Sequence, residues 1–231
     1  MEENNKKQFV IALGGSAVYP DKIDIEFLKK FRDFIFEKIN AGYKFAIIIG
    51  GGKLCRQFQL AAAEVANVAE EDKDWIGIHS TRLNAHLLRT IFREAAHPVL
   101  FKERFKIKDF GGYSVIIGTG WKPGNSSDFV AIQIAVDLGI NNVLILGKPD
   151  YVYTADFEKD SNARPLEKIS WQDYMELIPA EWNPGMSSPV DPVAARLAEK
   201  EKLKVIVANA KDLENVGKIL EGKEFKGTIL E

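Results

Sequence analysis

The chain has 231 residues, 46% hydrophobic and 28% charged, with a formal net charge of −2. That is enough to bury one large core or two modest ones, and the balanced charge excludes a global attraction to nucleic acid or an anionic membrane. A single cysteine, Cys55, excludes an internal disulfide framework and fits a reducing compartment. The first seven residues carry no apolar signal core, and no apolar run approaches the ~20 residues of a membrane span, so the expected location is the cytoplasm.

Short β-branched runs alternate with longer amphipathic stretches, which predicts an α/β protein with a mainly parallel sheet and helices on its faces. In chain order the predicted elements begin with a strand over 9–13 and a helix over 25–40, capped by Asp24 and stopped at Gly42. A strand over 45–49, a helix over 54–68 and a long, largely buried helix over 75–95 follow. Two short strands, 98–100 and 114–117, lead to a helix over 128–138 that ends at Gly139. Next come a strand over 142–146, a helix over 192–200 with Asp191 and Pro192 in cap and first-turn positions, and a strand over 204–208. A helix over 213–220 after Asp212 and a strand over 227–230 close the pattern. No repeat or low-complexity linker interrupts it, so the expectation is one unit over 1–231 whose two lobes share a sheet.

Twice an apolar run breaks into glycines followed by a polar residue, at Gly14-Gly15-Ser16 and at Gly50-Gly51-Gly52-Lys53. Bare glycine backbone approaches an anion closely, and a following helix N-terminus adds favourable dipole charge. Two such turns, with Ser16, Lys53 and Arg56 close behind, suggest two phosphates; a plain tight connection is the alternative for either turn alone. Neither turn has Walker or Gly-x-Gly-x-x-Gly spacing. Cys55, beside the second turn, reads as a packed thiol, or as a reactive one if the helix start lowers its pKa.

A third loop, Gly118-Thr-Gly-Trp-Lys-Pro-Gly-Asn-Ser-Ser-Asp128, offers Ser126, Ser127 and a helix N-terminus to a phosphate, with Lys122 as a cation. Asp128 would repel that phosphate, so it either orients a lysine or bound cation or serves as the helix N-cap. A fourth loop, from Gly147 to Asp156, supplies Lys148 and the rings Tyr151 and Tyr153, placed to stack on a base or to form one face of a short hairpin.

Taken in order, Gly14-Gly-Ser16, Gly50-Gly-Gly-Lys-Leu-Cys-Arg56, Asp74-Trp-Ile-Gly-Ile-His-Ser-Thr-Arg82, Pro123-Gly-Asn-Ser-Ser-Asp128, Val152-Tyr-Thr-Ala-Asp156 and Asp191-Pro-Val-Ala-Ala195 resemble the amino acid kinase superfamily, and within it the archaeal-type uridylate kinases. The resemblance runs from about Phe9 to Ile229. It implies a three-layer α/β/α sandwich that transfers the γ-phosphoryl group of ATP to UMP, with Mg²⁺ bridging ATP oxygens. It further implies that Gly14, Gly15, Ser16, Gly52, Arg56, Gly147, Lys148, Tyr153 and Asp156 bind ATP, mainly from the C-terminal lobe. Gly51 would face the UMP phosphate, Asp74 would hold the ribose, and Trp121, Lys122, Pro123, Gly124, Asn125, Ser126 and Ser127 would wrap the uridine and its phosphate. No metal-ligating side chain is implied. Homo-oligomers, hexamers by family habit, are the expected assembly.

The chain departs from that family at two places. Ala12 stands where many members carry a lysine aimed at the moving phosphoryl group, which leaves Lys53 or Lys148, with Asp128, as the expected catalytic set. Gly147-Lys-Pro-Asp-Tyr151 replaces a Thr-Asn-x-Asp-Gly run that contacts ATP. Another small-acid or phosphate kinase of the superfamily, or a non-catalytic nucleotide-binding relative, therefore stays open as an alternative. His79 and His86 share a helix face without an evident third metal ligand, and His97 reads as a turn residue. Trp171, Trp182 and Met186 fall in an irregular, proline-rich stretch read as core cover or partner contact.

Overall fold

A computed structural model describes residues 7–181 and 188–231; Trp182 and Met186 lie outside the described residues. Four parallel strands form the first part of a seven-stranded sheet: β1 (Gln8–Leu13), β2 (Lys44–Ile49), β3 (Val115–Gly118) and β4 (Asn142–Gly147). β8 (Lys204–Asn209) continues it in parallel, β9 (Thr228–Leu230) runs antiparallel to β8, and β7 (Lys168–Ile169) pairs with β9. The strand order is β3-β2-β1-β4-β8-β9-β7. A two-stranded hairpin, β5 (Val152–Tyr153) with β6 (Pro165–Leu166), stands apart from it.

The strands read as unbroken apolar runs because both faces of the sheet are covered. Phe9, Ile11, Leu13, Phe45, Ile47 and Ile49 pack on one side against α2 (Ile25–Asn40), α4 (Glu70–Ile91) and α8 (Leu213–Leu220). Val10, Ala12, Ala46 and Ile48 pack on the other against α5 (Ser127–Leu138), α6 (Trp171–Leu177) and α7 (Pro192–Lys200). This is the expected α/β/α arrangement. α1 (Gly15–Val18) and α3 (Gly52–Val65) start on the two glycine turns.

Several local expectations hold. Asp24, Asp191 and Asp212 cap α2, α7 and α8 through their side chains, and Gly139 ends α5 in the left-handed region at φ 65°. Trp171 is buried as core cover, its indole N–H donating to the Leu203 carbonyl at 2.9 Å.

Others are corrected. No strand spans 98–100: Pro98 has no N–H to donate, and only Ala96 and Phe101 bridge to β3, while His97 forms a turn through its Nδ1 to the Val99 N–H at 3.1 Å. The long helix starts at Glu70 and buries a single stripe rather than most of its surface, leaving Leu83 62% exposed. The cap of α5 is Ser126, which accepts the Phe129 N–H at 2.9 Å; Asp128 sits inside the first turn.

Candidate active site

Every strand from β1 to β4, and β8, points its C-terminal end the same way, so the loops after them gather along one sheet edge. The strand order reverses between β1 and β4, and a crevice opens at such a switch point. Gly14 donates its N–H to the Leu146 carbonyl at 2.8 Å, which seats the first glycine turn beside Gly147.

The two glycine turns press backbone against backbone. A Cβ on Gly15 would stand 2.2 Å from the Gly52 nitrogen and 2.4 Å from the Gly50 oxygen; one on Gly52, at φ 66°, would stand 2.4 Å from the Gly15 oxygen. Contact between the turns, and not only anion access, therefore demands these glycines. Gly15→Ala is expected to cost about 1–3 kcal/mol through overpacking and to lower the melting temperature in a thermal scan; an unchanged Tm would mean that the turns can part.

Helix α4 organises the neighbouring loops. Asn84 Nδ2 donates to the carbonyls of Gly50 and Gly51 at 2.9 and 3.3 Å. Asp74, buried in the second turn, accepts the Gly124 N–H on Oδ2 at 2.7 Å. Burial raises the Asp74 carboxyl above the ordinary carboxylate range, with the Gly124 N–H pulling the other way. Thr81 Oγ1 accepts the Gly120 N–H at 3.0 Å. Asp74 is thus joined to the 118–128 loop, two regions that the sequence read as parts of one acceptor site. Neither Thr81 nor Asn84 was read as a site residue from the sequence, although both are buried on α4, about two and about three turns beyond Asp74.

At the far end of that loop Ser126, Ser127 and Asp128 open α5. Ser127 Oγ lies 3.6 Å from the position that a Cβ on Gly50 would occupy, which places the helix start beside the second glycine turn. The Asp128 residue is half-buried but its carboxyl is enclosed; desolvation and then the Asp191 charge push it up to about 8, with the Asp191 backbone amide pulling the other way. Asp191 entered the sequence reading as a helix cap and a motif residue, and its closeness to Asp128 was not legible there.

The remaining candidates are more scattered. Lys53 pairs with Asp21 and Lys148 with Glu158, both on the surface. Arg56 is exposed on α3 and Lys122 on its loop. Pro123 and Asn125 are half-buried, Asn125 donating its N–H to the Lys122 carbonyl at 3.2 Å. Trp121 stacks on Phe101 with ring centroids 5.9 Å apart, and its buried indole N–H has no protein partner among the described residues. Tyr153 meets Tyr151 edge-on at 6.3 Å and Phe157 at 4.8 Å on the arm after β4. Asp156 is exposed on that arm and pairs with Lys159. The Cys55 thiol is pushed up by burial, foremost, as it packs near Gly51 and Gly77, so the packed reading holds. Among the described residues no three His, Cys, Asp or Glu side chains converge as a metal site, and no helix is long and apolar enough to cross a membrane.

Known proteins are similar to this chain over nearly its whole length. The uridylate kinase of Pyrococcus abyssi is 32% identical over 97% of this chain and 99% of its own length; that of Methanocorpusculum labreanum is 32% identical over 96% and 94%. The crystal structure of uridylate kinase from Archaeoglobus fulgidus superimposes with a TM-score of 0.82 at 28% identity, covering 96% of this chain and 99% of that one. A UMP kinase structure from Bacillus anthracis, at 20% identity and a TM-score of 0.78, shares the fold. The amino acid kinase family profile matches residues 7–209, and with the glycine turns, the α4 clamp and the α5 start at one sheet edge, the chain belongs to the amino acid kinase family.

Proposed function

We propose that the protein transfers the γ-phosphoryl group of ATP to UMP, giving UDP and ADP. The observation that carries this reading is the convergence of two back-to-back glycine turns with the Asp74–Gly124 clamp at one sheet edge, in a chain whose full-length relatives are uridylate kinases.

Phosphoryl transfer asks the protein chiefly to place two nucleotides in line and to neutralise charge on the moving group. Gly14, Gly15, Ser16 and Gly52 would hold the donor phosphates, with Gly147, Lys148, Tyr153 and Asp156 toward the adenosine and Arg56 beside the phosphate chain. Asp74 would take the ribose hydroxyls of UMP, and Gly51 with Trp121 to Ser127 the uridine and phosphate. The UMP phosphate is already ionised near pH 7, its second pKa being about 6, so no base is required of Asp128. Its role in this reading is to order the positive charge that arrives with the nucleotides, and such charge favours its ionised form over the protonated one. Lys53 and Lys148 are the candidates to supply charge in place of a lysine at Ala12, after leaving their surface partners.

Mg²⁺ belongs to this reading as an ion that would be carried mainly by phosphate oxygens and water. It supplies charge neutralisation on the phosphates. A homo-oligomer belongs to the same reading: α3 buries none of its residues and leaves Phe58 and Val65, seven apart and so on one side of the helix, 61% and 88% exposed, apolar surface that a second copy would cover.

A coupled ADP-release assay with UMP, CMP, dCMP, dUMP, glutamate and carbamate as acceptors tests the reaction. UMP should be used well ahead of CMP and dUMP. Turnover with glutamate or carbamate alone would overturn the acceptor assignment, and nucleotide binding without any turnover would make the protein a binding relative.

A further inference from the structure

Asp191, 3% exposed, lies at a junction of three helices. Its Oδ1 caps α7 by accepting the N–H groups of Val193 and Ala194 at 2.8 and 3.0 Å. Its Oδ2 accepts the hydroxyl proton of Ser126, the residue whose Oγ caps α5. The Asp191 backbone N–H lies on the Asp128 side of this junction, where it favours the charged form of that carboxyl. The preceding peptide is held in turn by the fully buried Tyr174 of α6, whose hydroxyl donates to the Val190 carbonyl and accepts the Val190 N–H, each at 2.7 Å.

A cap by itself does not require this. Serine caps a helix about as well as aspartate, and aspartate here places a second carboxylate against Asp128, which a purely structural junction would avoid. What a two-oxygen side chain adds is reach: one oxygen for the start of α7, the other for the start of α5. Buried networks of this kind fix one arrangement when every member is satisfied.

We propose that Asp191 is a positioning residue of the phosphoryl-transfer site, tying the N-terminus of α5 to that of α7 and so aiming Ser126, Ser127 and Asp128 at the acceptor phosphate. The proposal rests on the UMP kinase reading for the identity of that phosphate. It assigns α5 a support from a segment more than sixty residues downstream, 65 positions separating Ser126 from Asp191.

Asp191→Ser separates the two jobs, because serine retains a cap acceptor for α7 but is too short to reach Ser126 as well. Asp191→Asn retains both contacts, its amide donating to Ser126 Oγ. In the serine variant kcat/KM for UMP should fall about 10-fold or more, since sub-ångström misplacement is costly in phosphoryl transfer, while KM for ATP stays within about twofold. Amide hydrogen exchange at Phe129 and Val130 should speed up. The asparagine variant should recover both readouts to within about threefold of wild type.

An equal rise in KM for UMP and for ATP, or an asparagine variant as impaired as the serine one, would overturn the proposal in favour of a general structural or charge role. Should the serine variant fail to fold, Asp191→Thr, which also caps without reaching, carries the same expectation. If the wild type phosphorylates no nucleoside monophosphate, the UMP kinase reading fails by itself. Exchange at the start of α5 then still judges the tie, and a serine variant with wild-type exchange overturns it.

Discussion

Asp128→Asn is expected to fold, to bind both nucleotides and to turn over ~10²-fold or more slowly, a loss typical of removing a preorganised charge contact, while melting at a higher temperature than the wild type. The two effects share a cause. The Asp128 carboxyl is enclosed and faces the Asp191 charge, so its pKa in the folded chain is about 8 against an ordinary 3.8. Between those two values the folded protein holds a proton that the unfolded chain has released, so stability falls as pH rises through that window and levels off above it. Asparagine has no such proton to exchange, and it removes the repulsion. The Tm advantage of the variant should therefore be small near pH 4 and widen until about pH 8, as calorimetry across that range would show. Equal melting at pH 8 would deny the repulsion. A sharp drop in Tm with wild-type turnover per folded molecule would reduce Asp128 to support for the start of α5.

Asp74→Ala is expected to raise KM for UMP by ~10- to 10²-fold, the range that hydrogen bonds to a charged group confer, and to leave KM for ATP within about twofold. Asp74 spends one oxygen on the Gly124 N–H, which leaves the other as an acceptor for the ribose hydroxyls. Its burial makes the acceptor stronger, because water competes less for it. Steady-state kinetics with each nucleotide varied in turn decides the point. A matching loss for UMP and ATP would show that Asp74 serves the fold by fastening the 118–128 loop and takes no part in recognition.

The local layer of this protein could be read from its residues. The unbroken apolar runs at Phe9–Leu13 and Phe45–Ile49 announce strands buried on both faces, and helix boundaries at Asp24, Asp191, Asp212 and Gly139 follow from cap chemistry that depends on neighbours within four positions. The glycine turns were equally visible as sites where bare backbone is needed. The 98–100 strand failed because apolar character near Pro98 does not replace the missing donor. Asp128 stayed open between cation orienter and N-cap of α5 because serine and aspartate compete for the same position, and only the turn geometry gives the cap to Ser126.

What the sequence determined by itself is thus the alternation of strand and helix, the glycine-bounded loops and a motif order specific enough to imply the family. Tertiary structure alone decided which loops touch: that Gly15 and Gly52 interlock, that Asp74 grasps Gly124, and that Asp191 stands against Asp128. Spacing along the chain fixes periodicity and caps because those are short-range steric and hydrogen-bonding effects. Contacts between residues dozens of positions apart depend on strand order and on the side of the sheet to which each crossover helix returns, and the perturbed carboxyl of Asp128 arises only once folding has brought a second aspartate beside it.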